Sequence, residues 1–87
     1  MLATVAVQYL GLLEAQARVK IGEEALVAAR ELARVARDRE SGGAGLKVDA
    51  LRAEARAAAD EVRLAQARNA FRTASVALAV TLKLDPA

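Results

Sequence analysis

The chain has no cysteine, no histidine and no tryptophan, and its 87 residues include only one phenylalanine, one tyrosine and one proline. Without cysteine or histidine it has no disulfide, no thiolate or imidazole metal site, no Ser-His or Cys-His nucleophile pair, and no Glu-x-x-His ligand set of a di-iron bundle. Carboxylates remain, and Glu23-Glu24, Glu54 and Asp60-Glu61 could in principle bind a hard cation. Adjacent helical residues point about 100° apart, and no glycine-bearing calcium loop accompanies them. No catalytic residue, metal or cofactor is therefore expected. The lack of cysteine leaves the compartment open, since periplasmic proteins often do without it too. Few aromatics and 23 alanines imply a thin core with backbones close together. The uncharged run from Met1 to Leu13 is too short to cross a bilayer and has no basic n-region before it.

Glycine is scarce in the two halves and concentrated between them. Gly42, Gly43 and Gly45 are three of the chain's five glycines, and each can take the positive φ that reverses a helix. The pattern predicts an all-α fold, a long antiparallel two-helix coiled-coil hairpin. Helix one is expected over about 3–40, the tip turn over 41–47 and helix two over about 48–82. Asp49 lies in the first turn of helix two, where a carboxylate complements the helix N-terminus, and Pro86 stands just past the end of that helix.

Apolar periodicity supports the hairpin. Val5, Tyr9, Leu12, Ala15, Val19, Gly22, Leu26, Ala29, Ala33 and Ala36 make nine steps over 31 residues, a coiled-coil seam with one short step between Leu12 and Ala15. In the second half Ala50, Ala53, Ala57, Asp60, Leu64, Ala67, Phe71, Ala74, Leu78 and Thr81 alternate steps of three and four without a break. A second stripe flanks each seam, with Leu10, Leu13, Leu32 and Val35 on one helix and Val62 and Val76 on the other. A lone two-stranded hairpin needs a single narrow seam, so the second stripes ask for further helices and predict self-association, as in a ring or bundle. A carboxylate at Val62 is expected to damage folding or assembly by burying an unpaired charge.

Thirteen basic and eleven acidic residues are interspersed. The cluster Arg30, Arg34, Arg37 and Arg39 could suggest a nucleic-acid patch, but Glu31, Asp38 and Glu40 interrupt it and no aromatic residues interleave for base stacking. It reads as a solvated face with no nucleic-acid partner.

The order Arg39-x-x-x-Gly43-x-x-x-x-x-Asp49-Ala-Leu51-x-Ala53, followed by small or large apolar residues through Leu64, Phe71 and Leu78 to Leu82-Lys-Leu-Asp-Pro86, resembles the TolC-like outer-membrane efflux proteins. The phrase Tyr9-Leu-Gly-Leu-Leu-Glu-Ala15 is similar to that family's ascending helix. The chain departs from the family at Ala50, where valine is most usual, and at Lys83, where glycine is usual. Gly42 and Ala44 make a smaller tip than in some members. The family's chains are several times longer, with a second hairpin and membrane-spanning strands, so the resemblance implies that this sequence would be one hairpin, or a fragment, of such a protein.

The resemblance implies one piece of a larger α-barrel. Its context would be a homo-oligomer, trimeric in the full-length parent, in the cell outer membrane, with this segment in the periplasm. Its function would be that of a passive conduit for small-molecule export. The tip would dock on a periplasmic adaptor (membrane fusion) protein and so serve an inner-membrane pump indirectly. Gly43, Ala44, Gly45 and Leu46 are the expected adaptor contacts, and Arg39 and Asp49 the expected polar ties between neighbouring helices. The alternative from the residues is a soluble coiled-coil hairpin module, an adaptor or scaffold arm without a channel.

Overall fold

In the computed structural model, which describes residues 2–84, the described residues form two helices joined by a turn, with no strand among them. Helix α1 spans Leu2–Ser41 and helix α2 spans Lys47–Leu84. The helices run one or two residues beyond the sequence expectation at their ends, leaving a turn of residues 42–46. Alanine carries the helical propensity, and no proline interrupts the described residues. Pro86, expected to mark the end of α2, and Asp85 beside it lie outside the described residues. The hairpin measures 67 × 13 × 12 Å. Its radius of gyration is 19.3 Å, against about 12 Å for a compact domain of this length. Among the described residues no helix is long and apolar enough to cross a membrane.

The seam is built as the periodicity predicts, with one correction. Tyr9 is 52% exposed and stands outside it, while Gln8 is half-buried in its place. With Gln8 substituted, the α1 seam runs Val5, Gln8, Leu12, Ala15, Val19, Gly22 and onward in unbroken alternating steps of three and four. The short step expected between Leu12 and Ala15 was produced by placing the aromatic ring inside. An amide occupies the seam instead, and its Oε1 is buried without a hydrogen-bond partner. Such a group costs free energy that an apolar side chain would not.

Gly22 packs against Leu64: a Cβ on Gly22 would lie 3.3 Å from Leu64 Cδ1 and 3.7 Å from Leu64 Cα. Extending the antiparallel register from this contact sets Leu26 level with Asp60, Ala29 with Ala57 and Ala36 with Ala50 toward the tip, and Ala15 with Phe71 toward the open end. These residues are all buried or half-buried. The buried apolar residues are Ala15, Leu26, Ala29, Ala50 and Leu64, and none of them is fully enclosed. Gly11, by contrast, has nothing within 4 Å of an added Cβ, so close packing does not explain it.

Asp60 is the buried charged residue of the seam. It is only 7% exposed, and its one hydrogen bond is a long 3.5 Å contact from Arg63 Nη1. The Arg63 side chain is itself largely in solvent. A buried carboxylate so weakly compensated opposes folding.

One edge of the hairpin carries a ladder of ion pairs. Glu23 meets Arg68 at 3.9 Å, Arg30 meets Glu61 at 3.6 Å, and Arg37 Nε donates to Glu54 Oε1 at 2.8 Å. The partners advance by seven residues along α1 and retreat by seven along α2. The pairs are largely exposed apart from the half-buried Glu54, and such surface pairs are worth about 0–1 kcal/mol each, but their order of sign discriminates registers. A slip of one heptad in one direction sets Glu23 against Glu61 and Arg37 against Lys47, and a slip in the other sets Arg30 against Arg68. Either slip brings like charges together. Thus three of the arginines in the cluster read as a solvated face are engaged: Arg30 and Arg37 across the hairpin, and Arg34 with Glu31 and Asp38 along α1.

The second stripes are exposed, Leu10, Leu13, Ile21, Leu32, Val62 and Val76 among them, while Val35 is half-buried. Val62 is 58% exposed, so an aspartate there stays in water within a single hairpin. The expected damage to folding is therefore withdrawn, and the effect of that change falls on association.

These environments predict opposite responses from three helix positions. Gly11→Ala should stabilise the hairpin by up to about 1 kcal/mol, because alanine is the better helix former and nothing obstructs it. Gly22→Leu should destabilise it by about 1–3 kcal/mol by forcing the helices apart. Asp60→Leu should raise the melting temperature, because it replaces a poorly paired buried charge with an apolar group. Thermal unfolding followed by circular dichroism at one fixed concentration checks all three.

Candidate functional site

The tip is closed by main-chain hydrogen bonds, and two of its glycines are needed for them. α1 ends in a Schellman motif: Gly43 N–H donates to the Glu40 carbonyl at 3.0 Å, and Ala44 N–H donates to the Arg39 carbonyl at 2.9 Å. Gly45 N–H also donates to the Arg39 carbonyl, at 3.0 Å. Gly43 supplies the left-handed residue that the motif requires, with φ of 79°. Of the three glycines that can take positive φ, Gly43 is the one that does, so the reversal is concentrated there. Gly45 is required for a different reason. A Cβ at that position would come within 2.9 Å of Arg39 Cβ and 3.3 Å of the Arg39 and Glu40 backbone.

α2 then starts on the carbonyl of Leu46, which accepts from the N–H groups of Asp49 and Ala50 at 3.2 and 3.3 Å. The Leu46 side chain cannot cap, and Asp49 contributes a negative charge in the first turn instead.

The expected contact residues are brought together on the end of the rod. Gly43, Ala44 and Leu46 are exposed and Gly45 is half-buried. Leu46, at 65% exposure, is the large apolar group of the turn. Ala44, Gly45, Leu46, Arg39 and Asp49 share a shallow groove of about 280 Å³ with Leu32, Val35 and Ala36 of α1. Arg39 and Asp49 thus flank one apolar hollow, and among the described residues neither takes part in an ion pair within the hairpin. Both remain available to a neighbouring chain.

The sequence reading missed a charged cluster along α1 below the tip. Arg34 donates to Glu31 through Nη2 at 2.6 Å and Nε at 3.1 Å, and to Asp38 through Nη1 at 2.9 Å. The spacings of three and four residues were the available signal. The hydrogen bond from Arg34, and then its charge, hold the Glu31 carboxyl below its ordinary value of 4.5. The pairing therefore supports the folded state above that value and is lost as acid protonates Glu31. The carboxylates considered as cation ligands are dispersed. Glu23, Glu54 and Glu61 face arginines and Asp60 lies in the seam, and no three acidic side chains gather as a metal site among the described residues.

Comparison with protein-family models, with curated proteins and with solved structures finds no match to this chain. The functional reading therefore rests on the geometry and on the sequence resemblance alone.

The tip geometry predicts graded losses. Gly43→Val should cost about 1–2 kcal/mol, because a side chain is forced into the left-handed region. Gly43→Asn should cost less, since asparagine tolerates that conformation. Gly45→Ala should destabilise through its clash with Arg39 even though its φ is unremarkable. Denaturant midpoints for the three variants, with helical content measured in parallel, test the separate roles of the two glycines.

Proposed function

We propose that the chain is a periplasmic tunnel-wall hairpin of a TolC-like outer-membrane efflux channel, a non-catalytic element of a passive conduit for small molecules. The observation that carries this reading is the exposure of apolar rows on both helices outside a complete seam. The rod has already satisfied its own partner and still presents apolar surface on its flanks, which suits a wall element with neighbours on two sides. The α-barrel, the trimeric parent and the outer-membrane location follow from the sequence resemblance.

In this reading the tip is the docking end. An exposed leucine beside a small hollow suits insertion against a periplasmic adaptor protein, with Gly43 and Ala44 permitting close approach and Arg39 and Asp49 offering polar ties at the rim. The tight glycine turn keeps the end blunt, so a partner's backbone can come near. Contact with the pump is indirect, through the adaptor. A free-standing interaction arm is the second reading, but it leaves the flanking rows of both helices without a purpose.

Leu46→Asp in the full-length parent should reduce adaptor cross-linking and export while leaving channel assembly and membrane insertion intact, because the residue is exposed and the turn does not use its side chain. An export assay beside site-specific cross-linking to the adaptor gives the answer. Normal export and normal cross-linking by this variant would reduce the tip to a simple turn and remove the docking assignment.

A further inference from the structure

The two long edges of the hairpin, where the surfaces of α1 and α2 meet on either side of the seam, carry their charges differently. On one edge stands the ladder, in which Arg30, Arg37 and Arg68 each face a carboxylate of the other helix. Every ladder residue follows a seam residue by one position, about 100° around its helix. Arg18, Arg56 and Arg63 instead stand one position before the seam residues Val19, Ala57 and Leu64. They lie on the opposite edge, and Arg52, one position before Ala53, lies on the α2 side of that edge.

All four of these arginines are exposed. Arg18, Arg52 and Arg56 take part in none of the ion pairs among the described residues, and Arg63 has only its 3.5 Å contact with the buried Asp60. The register that sets Gly22 against Leu64 orders them along the rod, with Arg63 level with Glu23, Arg56 with Arg30 and Arg52 with Arg34. In α1 numbering their heights are 18, 23, 30 and 34, so about 24 Å of the rod carries the four. No exposed carboxylate stands on this edge between them.

The edge is a groove with an apolar floor. Arg18 and Arg63 border a hollow of about 470 Å³ with Gly22, Ala25 and Ala67, and the buried Asp60 also lines it. Guanidinium groups thus rise on both sides of a line of small residues, Arg18 from α1 and the other three from α2.

Uncompensated charges of one sign along one edge attract a partner of the opposite sign. Its shape follows from the groove. It must set carboxylates along two flanks, with an apolar side chain between them to enter the hollow beside Gly22. An amphipathic helix with acidic residues bordering an apolar line does this. Such a helix rises by the same 1.5 Å per residue as the hairpin helices, so carboxylates about four to seven residues apart meet the arginines in turn. A nucleic-acid strand suits the edge less well, because an apolar floor gives its phosphates nothing and no aromatic residue stands between the heights of Arg18 and Arg52 for base stacking.

We propose that this edge binds an acidic amphipathic helix of another protein, laid along the hairpin as a third helix with its apolar line over Gly22 and its carboxylates on Arg18, Arg52, Arg56 and Arg63. The contact requires neither the channel nor the tip. Leu46→Asp should leave it unchanged, so failure of tip docking and failure of this contact are separate results.

The probe is a labelled synthetic peptide of about 24 residues with leucine at a and d and glutamate at e and g, whose glutamates keep it from pairing with itself. Titrated with the 87-residue chain and followed by fluorescence anisotropy, it should bind at least about tenfold more tightly than the same peptide with glutamine for glutamate, and more weakly as salt is raised. Arg56→Glu combined with Arg63→Glu should weaken binding at least about tenfold with the helical signal of the chain intact. Arg72→Glu, an exposed position on the ladder side of α2 and in no ion pair among the described residues, should stay within about threefold of the native chain. If the double variant loses helix, Arg18→Glu with Arg52→Glu, one change on each helix, takes its place with the same expected loss. No binding of the glutamate peptide, equal binding of the glutamine peptide or an equal loss in Arg72→Glu overturns the proposal. Tighter binding of unstructured poly-glutamate or of a single-stranded oligonucleotide of the same charge overturns it too, by showing that the edge selects charge without a helix. Salt-sensitive dimerisation of the chain alone that the double variant abolishes would make a second copy the occupant and equally overturn it.

Discussion

The close approach of the two helix backbones along an alanine and glycine seam is the constraint on which the rest of the structure depends. At Gly22 there is no free room for a side chain beside Leu64. Small seam residues bring the helices near enough for the edge arginines and carboxylates to meet, and they leave little apolar volume to bury. The core is accordingly a line of partly covered residues instead of an enclosed interior. A rod with so little interior cannot hide its remaining leucines and valines, and they stand on its flanks.

This arrangement divides labour between apolar and charged groups. Burial along the seam supplies cohesion in proportion to the area removed from water. The exposed ion pairs add little cohesion, but their signs make a slipped hairpin worse than the native one. Asp60 and Gln8 serve neither purpose well, being polar groups set in an apolar line. Polar seam residues can help to define a register at some cost in stability, and Asp60 occupies the position where such a device would act at mid-shaft. The tip obeys a third logic, in which positive φ at Gly43 and missing side-chain bulk at Gly45 satisfy the last carbonyls of α1 within five residues.

Much of this was legible in the residues themselves. The helices, the antiparallel hairpin, the position of the turn and the α2 seam follow from glycine placement and from spacing alone. The α1 seam was legible except at one rung, where the usual preference of an aromatic ring for burial pointed to Tyr9. The unbroken heptad, which selects Gln8, was the better guide, because a helix seam is set by angular position before side-chain character. Of the expected tip residues, Ala44, Gly45, Leu46, Arg39 and Asp49 line one groove, and Gly43 does not. The ladder of Glu23, Arg30 and Arg37 with Arg68, Glu61 and Glu54 was not read, since pairing across a hairpin becomes visible only once the two helices are aligned.

The sequence by itself determined that this chain is helical, that it reverses once near its middle and that its apolar residues exceed the needs of one seam, because helical propensity, glycine conformation and heptad spacing are local properties. Only the tertiary structure decided which arginines are engaged, why Gly22 and Gly45 have no room for a side chain while Gly11 does, and that Arg18 and Arg63, on different helices, border one hollow. Those facts depend on distances between residues far apart in the chain, and such distances exist only after the seam has fixed the register of one helix against the other.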